Sequence, residues 1–398
     1  MTAQLRDMWD EVDQRAGENV RELLSVSQSL GVVPRASVTD KPPRADEFSR
    51  YKLCAAGDLV LNRFNAYRGS LGVAPTAGMV SPDYMVARPR PRCCGKYLEY
   101  FLRSADTASE MMKRMGGIGG NDPDTSGFAR IDAHALDRME VPVSSFAEQC
   151  AIADFLDRET ARIDTLTEEQ QRLIDLLRER RSDTVAAALD GLAGRTRLKY
   201  RALVQTGVTL NGDGDPEWPE WPYLRVANVQ VGCVDLSEVK TVRLPHEVAA
   251  ASSLKRGDVL MTEGGDIDKL GRGALWSGEV TDALHQNHVF AVRPDERLLP
   301  EFLVYTLDGP EARSYFITTA KKTTNLASTN KWTLGNLPLA CPPVQEQRRI
   351  VAYLDEQTAK IDTLIAESER FIELSRERRS ALITAAVTGQ IDVRDEVA

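Results

Sequence analysis

One stretch of this chain occurs twice, and that repeat constrains the fold more than any other feature. Residues 148–191 read EQCAIADFLDRETARIDTLTEEQQRLIDLLRERRSDTVAAALDG, and residues 346–389 read EQRRIVAYLDEQTAKIDTLIAESERFIELSRERRSALITAAVTG. The offset stays at 198 from Glu148/Glu346 to Gly191/Gly389, without a gap. Identical pairs include Ile152/Ile350, Leu156/Leu354, Asp157/Asp355, Ile163/Ile361, Asp164/Asp362 and Leu166/Leu364, and the run RERRS recurs at 178–182 and 376–380. A self-match of this length marks a duplicated unit.

Both copies read as helix. Neither contains Pro or an interior Gly, each ends on a Gly suited to a C-cap, and basic residues crowd the later turns. Apolar residues recur at a spacing near 3.5, which predicts a coiled-coil seam. In the first copy the seam is Ile152, Leu156, Ile163, Leu166, Leu173 and Leu177; in the second it is Ile350, Leu354, Ile361, Leu364 and Phe371. Polar residues interrupt it at matched places: Glu159/Gln357, Gln170/Ser368 and Arg180/Arg378. A helix this long spans about 60 Å, and antiparallel pairing would let each helix bury the other's seam.

The rest of the chain divides around these helices. The expected organisation is a first globule at 1–147, a helix at 148–191, a second globule at 192–345, a helix at 346–391 and a tail at 392–398. In the first globule an amphipathic helix is expected over roughly 2–30, followed by strands from Tyr51 and a helix near 96–115. The second globule repeats this plan loosely. GDVLMTEGGDIDKLGRGALW (257–276) answers GDLVLNRFNAYRGSLGVA (57–74), LHQNHVFAVRP (284–294) answers MVSPDYMVARP (79–89), and a helix is expected near 300–316. The fold class is therefore α+β: two diverged α/β globules joined by two long antiparallel coiled-coil helices, as a pseudo-two-fold repeat.

Composition narrows the function. No apolar run approaches the ~20 residues of a membrane span, and the N-terminus lacks a signal-peptide layout. Six scattered cysteines without zinc spacing read as free thiols in a reducing cytoplasm. His285 and His288 could form a metal pair, but a strand edge carrying polar side chains is the simpler reading. The net charge of −9 resides mainly in the helical segments: −5 in 148–190 and −3 in 346–398, against 0 in 1–147 and −1 in 191–345. Near-neutral globules leave room for a local basic face on each. No catalytic motif emerges. GGIGGNDPD (116–124) lacks the flanking elements of a phosphate loop, no GxxxxGK[ST] occurs, and neither NDPD nor PDER supplies a methyltransferase or nuclease centre.

The two EQxxIxxxLDxxTxxIDxL helices, LPLACPPVQEQ at 337–347, PYLRVANVQVG at 222–232 and the GDVLMT and HQNHVF segments together resemble the specificity subunit of Type I restriction-modification enzymes, over nearly the full length. The first half departs from the pattern: it lacks a counterpart of PYLRVANV, and VPVSSFAEQ (141–149) replaces the proline-rich approach. The resemblance implies a non-catalytic, cytoplasmic subunit whose two target-recognition domains each contact half of a split site in double-stranded DNA. The helices would act as spacer and as docking surface for two methyltransferase subunits, with restriction/translocase subunits completing the complex. No cofactor is expected in this chain; S-adenosylmethionine, ATP and Mg would reside in those partners. A specificity subunit serving a fused restriction–methylation enzyme is a close alternative. A coiled-coil protein-binding scaffold and a stand-alone nuclease are alternatives of other classes.

DNA contact calls for Arg and Lys at phosphates and for Arg, Asn, Gln or Lys at base edges. In the first domain the candidates are Arg63, Asn65, Tyr67 and Arg68, with Arg88, Arg90, Arg92 and Lys96 adding charge. In the second they are Lys269 and Arg272, Gln286 and Asn287, and Lys321, Lys322, Thr323, Thr324 and Asn325.

Overall fold

A computed structural model describes residues 2–19, 21–41, 48–116, 130–210, 212, 215–230, 232–267, 269–322 and 326–393. Its contacts fall into two units, Met1–Gln171 with Arg370–Ala398, and Arg172–Glu369. Each unit holds one globule and one half of each long helix. The helices run Phe146–Leu189 and Val344–Val387, 44 residues each, starting two residues ahead of the repeat. Gly191 and Gly389 follow them with φ of +65° and +74°, the left-handed geometry that ends a helix cheaply only at Gly.

The two globules share one plan. In the first, an antiparallel sheet has the order Trp9–Glu11, Tyr84–Pro89, Leu59–Asn62, Leu71–Val73. In the second, the order is Ala202–Thr206, Val289–Pro294, Val259–Thr262, Gly273–Leu275. The central strands read as continuous apolar runs because both sheet faces are covered. Leu59, Leu61, Met85 and Ala87 join the core shared with Leu98 and Leu102, while Val60 and Val86 face Leu24, Val26 and Val32. Likewise Val259, Met261, Phe290 and Val292 pack with Phe302 and Leu307, and Leu260, Val289 and Ala291 with Leu224 and Trp276. Burying each large side chain contributes about 1.5–3 kcal/mol.

An ion pair with a buried carboxylate recurs in each globule. Asp58 accepts two hydrogen bonds from Arg88 at 2.8 Å, and Asp258 accepts two from Arg293 at 2.7 and 2.6 Å. Each carboxylate also accepts from a turn amide, that of Ala55 or Lys255, at 2.8 Å.

The opening of the chain differs from expectation. No helix covers the described part of 2–30; strands occupy Thr2–Gln4, Trp9–Glu11, Leu24–Ser27 and Gly31–Pro34. Leu5, Met8 and Trp9 mimic helical spacing because a 3-10 turn, Leu5–Asp7, sits between two strands. Thr2–Gln4 pairs with Glu140–Pro142, and Trp9–Glu11 with the strand Tyr84–Pro89. The second globule opens the same way, with Arg195–Arg197 paired to Pro338–Ala340 ahead of the turn Leu198–Tyr200. The helices expected near 96–115 and 300–316 are each two. Ser104 separates Gly95–Arg103 from Ala105–Lys113, and Gly309 separates Pro300–Asp308 from Pro310–Thr319.

Inside each unit the repeated motif fastens helix to globule and helix to helix. Gln149 accepts from the Cys94 amide at 2.9 Å, and Gln347 from the Leu299 amide at 2.8 Å. The Tyr100 hydroxyl donates to Asp157 at 2.6 Å with Thr160 at 3.2 Å; Tyr305 meets Asp355 at 2.7 Å and Thr358 at 3.2 Å. Burial, reinforced by the neighbouring carboxylate, pushes the Tyr305 phenol up to about 12. Asp164 pairs with Arg379 at 2.9 Å in the first unit, and Asp362 with Arg181 at 3.1 Å in the second. In the second unit Arg178 also reaches Glu369 at 3.1 Å, so partner numbers rise as the first helix descends and the pairing is antiparallel.

The seam itself corrects the expected one. Ile152, Leu156, Ile163, Leu177, Leu354 and Ile361 are buried and Ile350 half-buried, but Leu166, Leu173, Leu364 and Phe371 are 39–48 % exposed. The inward positions run Leu156, Thr160, Ile163, Thr167, Gln170, Ile174, Leu177, an unbroken alternation of four and three; their counterparts run Leu354, Thr358, Ile361, Ile365, Ser368, Ile372, Ser375. At Leu166, Leu173, Leu364 and Phe371 the expected seam sits one residue ahead of the inward position, about 100° of rotation. Threonine fits inward because its hydroxyl donates to the carbonyl four residues back: Thr160 to Leu156 at 2.6 Å, Thr167 to Ile163 at 2.9 Å and Thr358 to Leu354 at 2.7 Å.

Candidate nucleic-acid interface

In the second globule three loops that are distant in sequence meet at one end of the sheet. The Glu263 amide donates to the His288 carbonyl and the Thr329 amide to the Glu263 carbonyl, both at 2.8 Å. Gly264–Gly265 pairs with Ala327–Ser328, which pairs with Lys321–Lys322. The turn 286–288 is thereby held beside the residues following Thr262 and the paired strands Lys321–Lys322 and Ala327–Ser328. Gly207 makes room for it: a Cβ there would lie 2.0 Å from the His285 carbonyl oxygen.

Of the expected contacts, Lys269, Gln286, Asn287, Lys321 and Lys322 fall in this cluster. Lys269 is exposed, 3.7 Å from Asp266, and the exposed Lys321 and Lys322 meet no carboxylate among the described residues. Gln286 accepts from the Val226 amide at 3.3 Å, and Asn287 Nδ2 lies 3.4 Å from His288 Nε2. Arg272 is held by Asp308, with Nε 3.2 Å from the carboxylate. Thr323, Thr324 and Asn325 lie outside the described residues.

Beside the turn 286–288 runs a groove of about 930 Å³, bordered by Arg225, Lys240, Arg243, Asn287 and His288. Its three cations were not anticipated. Arg225 pairs with Glu238 at 3.3 Å and Arg243 with Glu220. Only the pairing of Glu220–Leu224 with Lys240–Arg243 brings them together, and no local pattern announces it.

The first globule builds a related cluster. Arg63 donates to the Ile131 carbonyl at 2.9 Å and reaches Asp132 at 3.3 Å, tying the loop after Asn62 to the strand Arg130–Ile131. Asn65 precedes the 3-10 turn Ala66–Arg68, where Tyr67 is half-buried and the Arg68 guanidinium lies 5.2 Å above its ring. Arg88 and Arg90 are not part of this loop. Tyr84 faces Asn62 across the sheet, whereas Arg88 is at the far end of the same strand, bound to Asp58, and Arg90 binds Asp10 at 2.7 Å. Arg92 stands in a left-handed turn, and Lys96 is 3.2 Å from Glu99.

The two histidines do not converge on a metal. His285 is fully buried, with Nδ1 2.7 Å from the Val289 carbonyl, while exposed His288 meets Glu263 at 2.6 Å; no cluster of three metal-binding side chains occurs among the described residues. Burial lowers the His285 pKa, and its Nε2 has no partner among the described residues. An unfolded His protonates near 6.5 while the folded one resists, so stability is full above that pH and lost as pH falls through the folded value. Thermal melting between pH 7.5 and 5 should show this loss, and His285→Gln should flatten the profile above pH 5. An unchanged profile in the variant would assign the acid sensitivity elsewhere.

These features define a class: duplicated α/β globules, each presenting its own loop cluster, mounted by one repeated fastening on a pair of antiparallel helices. Known proteins of that class are similar in sequence and structure. The Type I restriction enzyme EcoKI specificity subunit of Escherichia coli is 21% identical over 321 residues, covering 77% of this chain and 68% of the relative. The StySPI specificity subunit of Salmonella potsdam is 21% identical over 324 residues, covering 76% and 67%. Among solved structures, a chain from a study of type I R-M complex assembly superposes with a TM-score of 0.76 at 15% identity, covering 97% of both chains. The HsdS subunit of Thermoanaerobacter tengcongensis gives 0.58 at 16%, covering 98% and 97%. No protein-family model matches the chain. The chain thus has the fold of the Type I restriction-modification specificity subunits and resembles them in sequence.

Proposed function

We propose that this chain is the non-catalytic specificity subunit of a Type I restriction-modification complex, with each globule reading one half of a bipartite DNA site. The observation that carries this reading is the mismatch between frame and head. The fastening residues Gln149/Gln347, Asp157/Asp355, Thr160/Thr358 and Asp164/Asp362 are the same in both halves, while the loop clusters they support differ. Identical mounts with different heads suit a molecule that reads two sequences at a set separation.

The helices offer the same outward surface twice. Leu166, Leu173 and Leu176 on the first helix, and the matched Leu364, Phe371 and Leu374 on the second, are 39–62 % exposed. Recurring apolar side chains at matched positions favour two copies of one partner, here two methyltransferase subunits. Restriction/translocase subunits would join that assembly in the cytoplasm. S-adenosylmethionine, ATP and Mg would be bound by the partners. Among the described residues no helix is long and apolar enough to cross a membrane.

Assembled with its methyltransferase partners, the complex should bind site-containing duplex DNA with an affinity that falls steeply with salt. Each phosphate contact contributes close to one unit of slope in a plot of log affinity against log salt. Absence of DNA binding, or binding indifferent to both salt and sequence, would favour a protein-binding scaffold.

A further inference from the structure

We infer that the turn Gln286–His288 is the base-reading element of the second globule, with Asn287 and His288 as specificity-determining residues and Glu263 as the positioning residue behind them. This rests on the specificity-subunit reading and names the part of the second globule that performs it.

Three observations converge on this turn. It is fixed on all sides: the Gln286 amide donates to the Leu224 carbonyl at 2.9 Å, the Asn287 amide to the Val208 carbonyl at 3.1 Å, and the His288 carbonyl accepts from the Glu263 amide at 2.8 Å. A reading group on such a support loses little freedom on binding. Next, the side chains have distinct duties. Gln286 holds Val226 through its carbonyl oxygen, so it anchors the turn. The half-buried Asn287 and exposed His288 have their polar ends beside each other, 3.4 Å apart. An Asn amide carries the donor and acceptor that match an adenine edge, and an imidazole nitrogen can accept from or donate to a neighbouring base. The Glu263 carboxylate accepts from Nδ1 at 2.6 Å, which turns the Nε2 edge to the turn surface beside the Asn287 amide.

Finally, the turn lies on the wall of the groove that carries Arg225, Lys240 and Arg243. Two of these cations are held by Glu238 and Glu220, and the exposed Lys240 has no carboxylate partner among the described residues. A phosphate backbone against these cations would lay its bases beside Asn287 and His288. Phosphate contacts position a duplex, and base-edge contacts specify it.

The test uses the assembled complex with a panel of duplexes that vary each position of both half-sites. Asn287→Ala and His288→Ala should each relax one position of the second half-site, losing about 5- to 150-fold of discrimination. The first half-site should be unaffected. Asn287→Asp, which keeps the turn but removes the amide donor, should change the preferred base at that position. Glu263→Ala should relax the position read by His288, and Glu263→Gln, whose carbonyl can still accept from Nδ1, should restore it. Lys240→Ala should weaken all duplexes alike and lower the salt slope by about 0.9. Should the folded Asn287 and His288 variants read the second half-site as narrowly as the parent, the turn is not the reader and the specificity-subunit reading still stands. A parent complex without sequence preference would overturn that reading itself.

Discussion

Exchanging residues 192–345 for the equivalent segment of a relative should replace one half of the recognised motif and leave the other unchanged. The segment carries the second loop cluster, from the groove cations to the paired strands Lys321–Lys322 and Ala327–Ser328, and none of Arg63, Asn65, Tyr67 or Arg68. Its attachments include Tyr305 to Asp355 and Thr358, Asp308 to Arg181, and the amide of Leu299 and carbonyl of Arg297 to Gln347. A donor segment with a Tyr at the position of Tyr305 should therefore seat on the unchanged helices. The effect should be complete, because one base-edge contact is worth about 1–3 kcal/mol and the exchange replaces several. Methylated motifs from the parent and the hybrid provide the comparison. A hybrid in which both halves change, or neither does, would show that the globules do not read independently.

Matched insertions of four residues, after Gln171 in the first helix and after Glu369 in the second, should lengthen the gap between half-sites by one or two base pairs. These points are where the chain divides into its two units. The insertions leave Asp164–Arg379 intact in one unit and Arg181–Asp362 in the other. Four residues add one turn and about 6 Å, and keep the inward face nearly in phase. A base pair of B-DNA rises about 3.4 Å. The half-site sequences should stay as they were, since neither loop cluster is touched. Three-residue insertions turn the seam the other way and should be tolerated less well. An active, assembled variant with the original gap would mean that helix length does not set it.

Much of this was legible because the repeat aligns two independent copies of one solution. The helices, their terminal glycines and the antiparallel pairing follow from it directly. What the repeat could not say is why each motif residue recurs. Asp157 and Thr160 wait for Tyr100, and Asp164 for Arg379, and these partners come from other segments. The seam departs from expectation at Leu166 because the polar Thr167 faces inward, and at Leu173 because, of two adjacent apolar residues, Ile174 is the buried one. Short polar residues such as Thr167 and Ser368 occupy the inward positions, while those leucines remain on the outer faces. The opening of the chain misled for a related reason, since a 3-10 turn between two strands reproduces a helical spacing. In the loop clusters, sequence picked residue types but not directions. Arg63 and Arg88 are held by Ile131 and Asp58, and the second globule's cations Arg225, Lys240 and Arg243 lay too far from the other candidates in sequence to be grouped with them.

The most direct measurement is the methylated motif in the genome of a host with and without this chain. The expected result is a split motif, two short defined halves around a fixed gap, that is present with the chain and vanishes on its deletion while the methyltransferase partner remains. Methylation unchanged by the deletion, or loss only of a continuous motif without a gap, would contradict it.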